Sequence, residues 1–354
     1  MIGFLTYILV AVNPSLSHAG ELRELYRSAR MLAMGGAGVA LADDDSALYV
    51  NPAGLAGLED MEVHYATADV QGSYDIFTTF QNMSALKGFN AGAINSLMGK
   101  NIYARGQVTP SFVMPFAGVG LISDNQVALK VENQSLPQIT LGYQTTNGIQ
   151  VASGFPLNPA RRHRTRTEVR FGIGGKVLFR RGGFRPLPLI SLFSLSKETL
   201  LKTTGNFGYG IGVDLGSQVV YRVSQNLNFY LGSAFTEAGD VAFGADPEPQ
   251  RGNLAFGTAL QYNLRFFKVN VAYDYRRILD ETDWRKKNHL GIELILPIVT
   301  IYAGINQVYL TYGAAVDLWL FKLTALTYAE EEGSFVHIDP DRRYMARFDF
   351  TLTL

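Results

Sequence analysis

The chain has 354 residues, a formal net charge of zero and no cysteine. The absence of cysteine excludes disulfide frameworks, thiolate metal sites and a cysteine nucleophile. Balanced charge argues against a general nucleic-acid binder, which needs an excess of basic residues to displace counterions from phosphate. The length permits either two soluble domains or one large barrel.

The N-terminal 19 residues are predicted to be a signal peptide. Residues 2–12 form an apolar run too short to remain in a bilayer, and Ser17-His18-Ala19 is a small-x-small cleavage site before Gly20. The region before the apolar run lacks Lys and Arg, so a buried N-terminal strand or helix is the alternative. Beyond residue 20 no stretch of about 18–20 apolar residues appears. An exported chain of this kind is periplasmic, secreted or an outer-membrane barrel.

Residues 20–33 are predicted to form a short amphipathic helix, because apolar residues recur there at spacings of three and four. Gly35, Gly36 and Gly38 end this pattern. No second helix is predicted after them.

The remainder of the chain alternates between apolar and polar residues with period two, most clearly after residue 168. The runs exceed the usual 5–6 residues of soluble strands and approach the roughly 9–11 that a spanning strand needs, which favours a transmembrane barrel over a soluble sandwich. Residues 40–155 have room for about four more strands, which gives an all-β, antiparallel barrel of about 14 strands. The ten later strands are predicted at 168–180, 208–222, 227–236, 254–266, 268–276, 288–296, 298–305, 311–321, 323–329 and 343–354.

The predicted connections alternate between tight turns and long loops, as in outer-membrane barrels, where the short turns are periplasmic. Long loops are expected at 181–207, 237–253, 277–287 and 330–342. Residues 161–166 form a basic cluster that this strand count places on the periplasmic side, either as a solvated turn or as a contact for lipid headgroups. Residues 187–202 are unusually apolar for a loop. The last strand ends in alternating Phe and Leu, as a barrel-assembly signal does.

A sequence block at residues 29–56 resembles a known family. It reads ARMLAMGGAGVA at 29–40, DDDSA at 43–47 and YVNPAGLA at 49–56. This block is similar to the start of FadL-like outer-membrane proteins, a group that includes long-chain fatty-acid transporters and PorV-type and TraF-like barrels. Segments at 212–216, 289–293 and 303–307 also resemble strands of that family.

The resemblance implies that residues 20–56 form a helix and a glycine-rich plug inside a barrel made by residues 57–354. In such transporters a gap in the wall opens sideways to the membrane, and we expect this gap near Asn51-Pro52, because Pro52 cannot donate to a ladder and should interrupt the first strand. The alternative is that residues 29–56 merely keep the barrel closed. The plug or gate residues carried over from the motif are Met34, Gly35, Gly36, Gly38, Asn51, Pro52 and Ala53.

The polar faces of the predicted strands should line the lumen, because the opposite faces must meet lipid. The resulting lumen has charges of both signs, which suits a salt-bridged interior better than a continuous fatty conduit. The residues predicted to face it are Arg170, Lys176, Asp214, Gln218, Arg265, Asp274, Arg276, Glu293, Arg347 and Asp349.

The leading functional hypothesis is an outer-membrane barrel that transports or binds hydrophobic small molecules. The alternatives are a non-transporting barrel with a structural, lipid-organising or secretion-accessory role, and a plain porin. No enzyme activity, cofactor or metal is expected, since no catalytic motif or histidine pair is present. The expected partners are outer-membrane lipids, the barrel-assembly machinery and a hydrophobic ligand, with oligomerisation open and nucleic acid excluded.

Overall fold

The computed structural model describes residues 24–81, 98–132, 138–158, 166–188, 207–244 and 247–354. Its strands form one antiparallel sheet, and its helices are short. The helices are α1 Ala29–Ala33, α2 Ala47–Val50 and α3 Tyr74–Gln81, with 3-10 helices at Pro52–Gly57 and Trp284–Lys287. The strands are β1 Glu62–Ser73, β2 Asn101–Val108, β3 Ser111–Met114, β4 Ala117–Glu132, β5 Gln138–Pro156, β6 Thr167–Pro188, β7 Phe207–Arg222, β8 Leu227–Thr236, β9 Asn253–Asn263, β10 Lys268–Tyr275, β11 Asn288–Ile295, β12 Val299–Asn306, β13 Tyr309–Leu318, β14 Phe321–Glu331 and β15 Pro340–Thr353.

The sheet closes into a barrel because β15 pairs with β1. β2 and β3 both pair with β1 on one side and with β4 on the other, so together they occupy one position in the wall. The wall is therefore a closed barrel of 14 antiparallel strands, which confirms the predicted fold class and strand number. Closure pairs the backbone groups that an open edge would expose, and this is a condition for a sheet in hydrocarbon.

The two faces of the wall differ in polarity in the sense expected of a membrane barrel. On β7, for example, the outward side chains of Tyr209 and Ile211 are 69% and 70% exposed, whereas the inward Asp214 is fully buried. Polar and charged groups fill the interior along most of the other strands. In the described part of the chain no helix is long and apolar enough to cross a membrane.

The two ends of the barrel differ in their connections. The short-turn rim carries the turns at residues 223–226, 264–267, 296–298 and 319–320, together with the C-terminus. The opposite end, the long-loop rim, carries the connections at 237–252, 276–287 and 332–339. This alternation matches the predicted pattern of short turns and long loops, except for the tight turn at residues 307–308, which lies at the long-loop rim.

The barrel wall is much taller on one side than on the other. β5 and β6 have 19 and 22 residues, whereas β10, β11 and β12 have 8 each. The predicted loop at 181–207 is wrong in its first part, because β6 continues to Pro188 along its ladder with β5. The predicted loop at 330–342 is also shorter, since β14 and β15 extend to Glu331 and from Pro340.

The helices also depart from the sequence prediction. Of the predicted helix at 20–33, only Ala29–Ala33 is helical within the described residues, and residues 24–28 are not. Helices α2 and α3 were not predicted. The signal peptide at 1–19 and residues 161–165 and 189–202 lie outside the described residues, so the structure does not bear on those predictions.

Candidate functional site

The chain preceding β1 lies inside the barrel. Residues 24–57, called here the luminal segment, are almost entirely buried, and Ala33, Ala37, Ala40 and Leu48 have no exposed surface. The segment contacts the wall from β1 to β15, and its last residues lead to Glu62 at the short-turn rim. Small side chains dominate it, which lets its backbone approach the wall closely.

A tight turn follows α1 and carries the predicted motif. Gly35 and Gly36 have φ of +68° and +85°, a conformation that residues with a Cβ adopt only with strain. The imidazole Nδ1 of His289 lies 2.9 Å from the carbonyl oxygen of Gly35. The backbone amides of Gly38 and Val39 both donate to the carboxylate of Asp274, at 2.8 and 2.9 Å. The glycine-rich turn thus directs two backbone N–H groups at the buried carboxylate of Asp274 on β10.

Glycines in the wall receive the luminal segment at three places. A Cβ at Gly291 would lie 2.2 Å from the carbonyl oxygen of Met34, and one at Gly304 would lie 2.5 Å from the nitrogen of Gly35. Gly232 faces Ala40 in the same way, at 2.8 Å. The third group, Gly154, Gly172 and Gly216, packs directly against residues 51–53. No other residue type leaves space for backbone contact at these positions.

The Asn51-Pro52-Ala53 motif is a packed corner inside the barrel. The side-chain amide of Asn51 donates to the carbonyl oxygens of Val39 and Ser217, and its carbonyl accepts from the amide of Ala53. Pro52 begins a 3-10 helix, where its missing N–H costs nothing. The prediction that Pro52 interrupts the first strand is wrong, because β1 begins only at Glu62.

An ionic cluster around Arg30 attaches α1 to the wall and to the next loop. Its guanidinium contacts Glu293 at 2.8 Å, Asp43 at 2.6 Å and Asp44 at 3.0 Å. Burial alone would raise the pKa of Asp44, but Arg30 and the hydroxyl of Ser46 lower it to about 2. Asp44 therefore stays charged throughout the physiological pH range.

A second ionic cluster attaches the luminal segment to β15. Arg347 on β15 pairs with Asp45 at 3.1 Å and with Asp349 at 2.8 Å, and it also donates to the hydroxyl of Tyr26. The Tyr26 ring stacks on Tyr49 with centroids 4.2 Å apart. Arg347 thereby connects the wall to two separate parts of the segment.

The first described residues, 24–28, form an arm held mainly by wall side chains. Arg105 and Gln107 donate to the carbonyl oxygen of Leu25 at 2.9 and 2.7 Å. Arg27 is fully buried and pairs with Glu330 at 2.9 Å. Burial disfavours charge on Glu24, yet Arg276 and Arg277 together with Arg27 lower its pKa to about 2. Charged contacts thus fix the arm at both of its ends.

The predicted lumen-facing residues mostly lie inside the barrel. Lys176 is buried between Asp214 and Glu237, at 2.9 and 2.5 Å. Arg170 donates to Gln218, whose own amide donates to the carbonyl of Ala40. Asp274, Arg276, Glu293, Arg347 and Asp349 all contact the luminal segment or its ionic clusters.

The prediction for Arg265 is wrong. β9 ends at Asn263, so Arg265 lies in the exposed turn before β10, with its guanidinium 5.5 Å from the Phe266 ring. The alternation of Leu264 and Phe266 continues the strand pattern into the turn, which explains the misplacement.

Two cavities border the luminal segment. One, of about 30 Å³, lies between the arm and the wall and is lined by Leu25, Tyr26, Val39, Tyr49 and Ala255 together with charged groups such as Lys176. This volume accommodates about one or two water molecules. The other, of about 250 Å³, lies at the short-turn rim and is lined by both signs of charge, including Arg30, Asp44, Asp317 and Lys322.

Several residues that hold the luminal segment were not predicted as site residues: Glu24, Arg27, Arg30 and the wall glycines. A signal for the arginines was present, since charged residues on a segment predicted to lie inside a barrel must find partners there. The wall glycines carry no such signal, because a glycine in an alternating strand also suits a bulge or bend.

Comparison with known proteins rests on solved structures, since no family model and no curated protein matches the chain. The monoaromatic hydrocarbon channel CymD is 10% identical, with 95% of this chain and 99% of that chain covered and a TM-score of 0.52. A ΔS2S3 mutant of the monoaromatic hydrocarbon channel TodX is 11% identical, with 92% and 98% covered and a TM-score of 0.54. The Ralstonia pickettii toluene transporter TbuX is 12% identical, with 94% of this chain and 98% of that chain covered and a TM-score of 0.48. The fold is that of FadL-like outer-membrane barrels, as the resemblance implied.

Proposed function

We propose that this FadL-like barrel lies in the outer membrane and passes small hydrophobic molecules across it, with residues 24–28 as the gate. The observation that carries the proposal is the luminal segment, which lies inside the barrel and is almost entirely buried. Passage of a ligand therefore needs part of this segment to move. The structurally similar proteins named above are described as hydrocarbon channels, which supports a small aromatic hydrocarbon as the first ligand to test.

The arm is the part whose movement would create a ligand site. Leu25, Tyr26, Val39, Tyr49 and Ala255 give the small cavity an apolar side. An apolar cavity that binds benzene has about 150 Å³, so an aromatic ring fits only after Leu25 and Tyr26 withdraw. Their departure would leave an apolar surface of the kind that binds hydrophobic ligands.

A sideways exit to the membrane is better placed at Thr109-Pro110 than at the predicted Asn51-Pro52. The β5–β6–β7 ladders beside Asn51-Pro52 are unbroken. The wall is irregular where Pro110 separates β2 from β3, because proline has no backbone N–H to donate. The neighbouring strand β1 also carries a register shift between His64 and Ala66, in its pairing with β15. At this break the amide of Thr109 donates to the carbonyl oxygen of Thr67 on β1, and the amide of Leu121 on β4 donates to that of Pro110. We propose this break as the exit.

The experiment compares the intact protein with a variant that loses the wall contacts of the arm, Arg105→Ala/Gln107→Ala. Uptake of toluene into proteoliposomes is expected to rise, because both side chains hold the carbonyl oxygen of Leu25. The matched control is Asn125→Ala, a substitution on the outer face of β4, which leaves the arm attached. Unchanged uptake in a correctly folded double variant contradicts the gate, and no uptake by any variant contradicts transport.

The second candidate is a non-transporting barrel with a structural or accessory role. The dense ionic interior favours it, since Arg27, Arg343 and Glu330 form one buried network and Lys176, Asp214 and Glu237 another. Mass spectrometry of co-purified lipid and single-channel recording separate the two. A protein without bound hydrophobic molecules, conductance or uptake is what this candidate predicts.

A further inference from the structure

The short-turn rim carries three successive turns with large, exposed apolar side chains. The turn after β9 exposes Phe266 by 74%, the turn after β11 exposes Ile298 by 58%, and the turn after β13 exposes Trp319 by 94%. By contrast, the turn after β7 at residues 223–226 has one apolar residue, Val223, followed by Ser224, Gln225 and Asn226. Hairpin turns in contact with water are ordinarily polar, so three successive apolar turns need a reason.

The turns at 264–267 and 296–298 adjoin the shortest part of the wall, and the turn at 319–320 is the next one along the same rim. β10, β11 and β12 have 8 residues each. Eight residues at about 3.4 Å and a tilt of roughly 40° span about 21 Å, less than the apolar band of about 25 Å that a membrane barrel presents. These strands alone are therefore too short to cover the hydrocarbon.

On the tall side of the wall, where the strands are longer than the membrane requires, the outer face shows where the apolar band ends. On the outer face of β4, β5 and β6, Asn125, Thr145 and Arg181 are directly paired neighbours and form a polar row. Asn125 and Thr145 are hydrogen-bonded to each other. Between this row and Pro156 at the short-turn rim, β5 has about the 9–11 residues of a spanning strand. The rest of β4–β6 projects beyond the row.

The conformation of Trp319 is a second, independent observation. It has φ of +72°, in a two-residue turn where glycine or asparagine is favoured, and a bulky residue there costs free energy. Phe116, in the turn between β3 and β4 at the same rim, also has a positive φ of 74° and is half exposed. Strain of this kind persists where the side chain serves a purpose, and aromatic side chains are favoured at a membrane interface.

We infer that the turns at residues 264–267, 296–298 and 319–320 are immersed in the lipid of the adjacent leaflet and complete the apolar band where the strands are short. Their apolar surface is continuous with the lipid-facing wall through Leu318 and Phe321 on either side of Trp319, which are 56% and 43% exposed. The turn at 223–226 remains in water. This inference needs the barrel to lie in a membrane but is independent of transport.

The test uses tryptophan fluorescence, since the chain contains only two Trp residues. The variant Trp284→Phe leaves Trp319 as the single reporter, and folding is checked by heat-modifiable gel mobility. In vesicles of brominated phosphatidylcholine we expect a blue-shifted emission that loses roughly half its intensity, as for interfacial tryptophans. Iodide in the aqueous phase should have little effect. The variant Trp319→Phe should abolish the lipid-quenched signal.

Two further reporters test whether the immersion is one-sided. In a Trp284→Phe/Trp319→Phe background, Phe266→Trp should be quenched by brominated lipid, and Ser224→Trp should be quenched by iodide instead. Iodide quenching of Trp319 without lipid quenching overturns the inference and leaves a solvent-exposed patch for a protein partner. Equal lipid quenching at positions 224 and 266 contradicts the one-sided immersion.

Discussion

The arm at residues 24–28 and the remainder of the luminal segment at 29–57, called here the seat, lie in the same lumen but are held differently. The seat rests on wall glycines, with backbone against backbone at Gly172, Gly291 and Gly304. The arm has no such contacts with glycine and is held by charged and polar wall side chains, chiefly Arg105, Gln107 and Glu330.

The difference indicates which part can move. Displacing the seat would leave unfilled cavities over the wall glycines, and such cavities cost free energy. Displacing the arm exchanges one set of polar contacts for others, since Glu330 keeps Arg343 and Arg105 keeps Asp124. We therefore expect substitutions in the seat to affect stability and substitutions in the arm to affect permeability.

The largest effect on stability is expected from Arg30→Ala in the seat. The substitution leaves Glu293 buried without its cation, which costs about 3–5 kcal/mol. The free energy of unfolding in urea, measured on protein in vesicles, checks this value. The matched control is Arg285→Ala, which removes a half-exposed guanidinium from Asp283 and should change stability little, because the backbone amide at position 285 still donates to that carboxylate. Equal stability of both variants would show that the seat is not anchored through Arg30.

A smaller loss of stability is expected from Gly172→Ala. The added Cβ would lie 2.2 Å from the nitrogen of Ala53, and overpacking of this kind costs about 1–3 kcal/mol. Gly175→Ala on the same strand is the control, because nothing lies within 4 Å of its Cβ position. The two urea unfolding midpoints are compared, and coincident midpoints would contradict the close fit of the seat.

In the arm, Arg27→Ala should change uptake more than stability. It removes contacts with Tyr328 and Glu330, at a cost of about 1.5–3 kcal/mol, which is less than for Arg30→Ala because Glu330 keeps its pair with Arg343. We expect toluene uptake to increase several-fold, because one end of the arm is freed. Arg27→Lys, which keeps the charge, should give a smaller increase. A loss of stability as large as that of Arg30→Ala, without increased uptake, would remove the distinction between arm and seat.

The smallest effect concerns pH and Glu24. Its folded pKa of about 2 lies below the ordinary 4.5, so its contribution is complete above pH 4.5 and is lost as pH falls towards 2. Glu24→Gln should therefore flatten part of the dependence of unfolding free energy on pH in that window and leave the slope near pH 7 unchanged. Identical pH profiles for the two proteins would place Glu24 outside the ion pair with Arg276.

The strand pattern was accessible to sequence analysis because alternation with period two follows directly from the pleat. The ten later strands were found in this way, whereas the four earlier ones were predicted only as a number, from the room in residues 40–155. The upper half of β6 was missed because Gly182, Gly183 and Pro186 are loop signals, and the β5 ladder overrides them. Arg265 was misplaced because its apolar neighbours extend the alternation beyond the end of β9.

Of the candidate site, the motif at 34–53 was recognised through its resemblance to FadL-like proteins, and its glycines and Pro52 have backbone requirements that are local. Its partners could not be found, because Gly172, Gly291 and Asp274 are brought together with it only by closure of the barrel. The break at Pro110 was missed for the same reason: a proline in an alternating run does not reveal which neighbouring strand loses a hydrogen bond.

The most direct test of the account is a reversible lock on the arm. The chain has no cysteine, so Leu25→Cys with Gln107→Cys introduces the only pair of thiols, which a short disulfide-containing bismaleimide can join. We predict that toluene uptake into proteoliposomes stops when the linker is attached and returns when a reducing agent cleaves it. Undiminished uptake by the linked protein would contradict the claim that the arm is the gate.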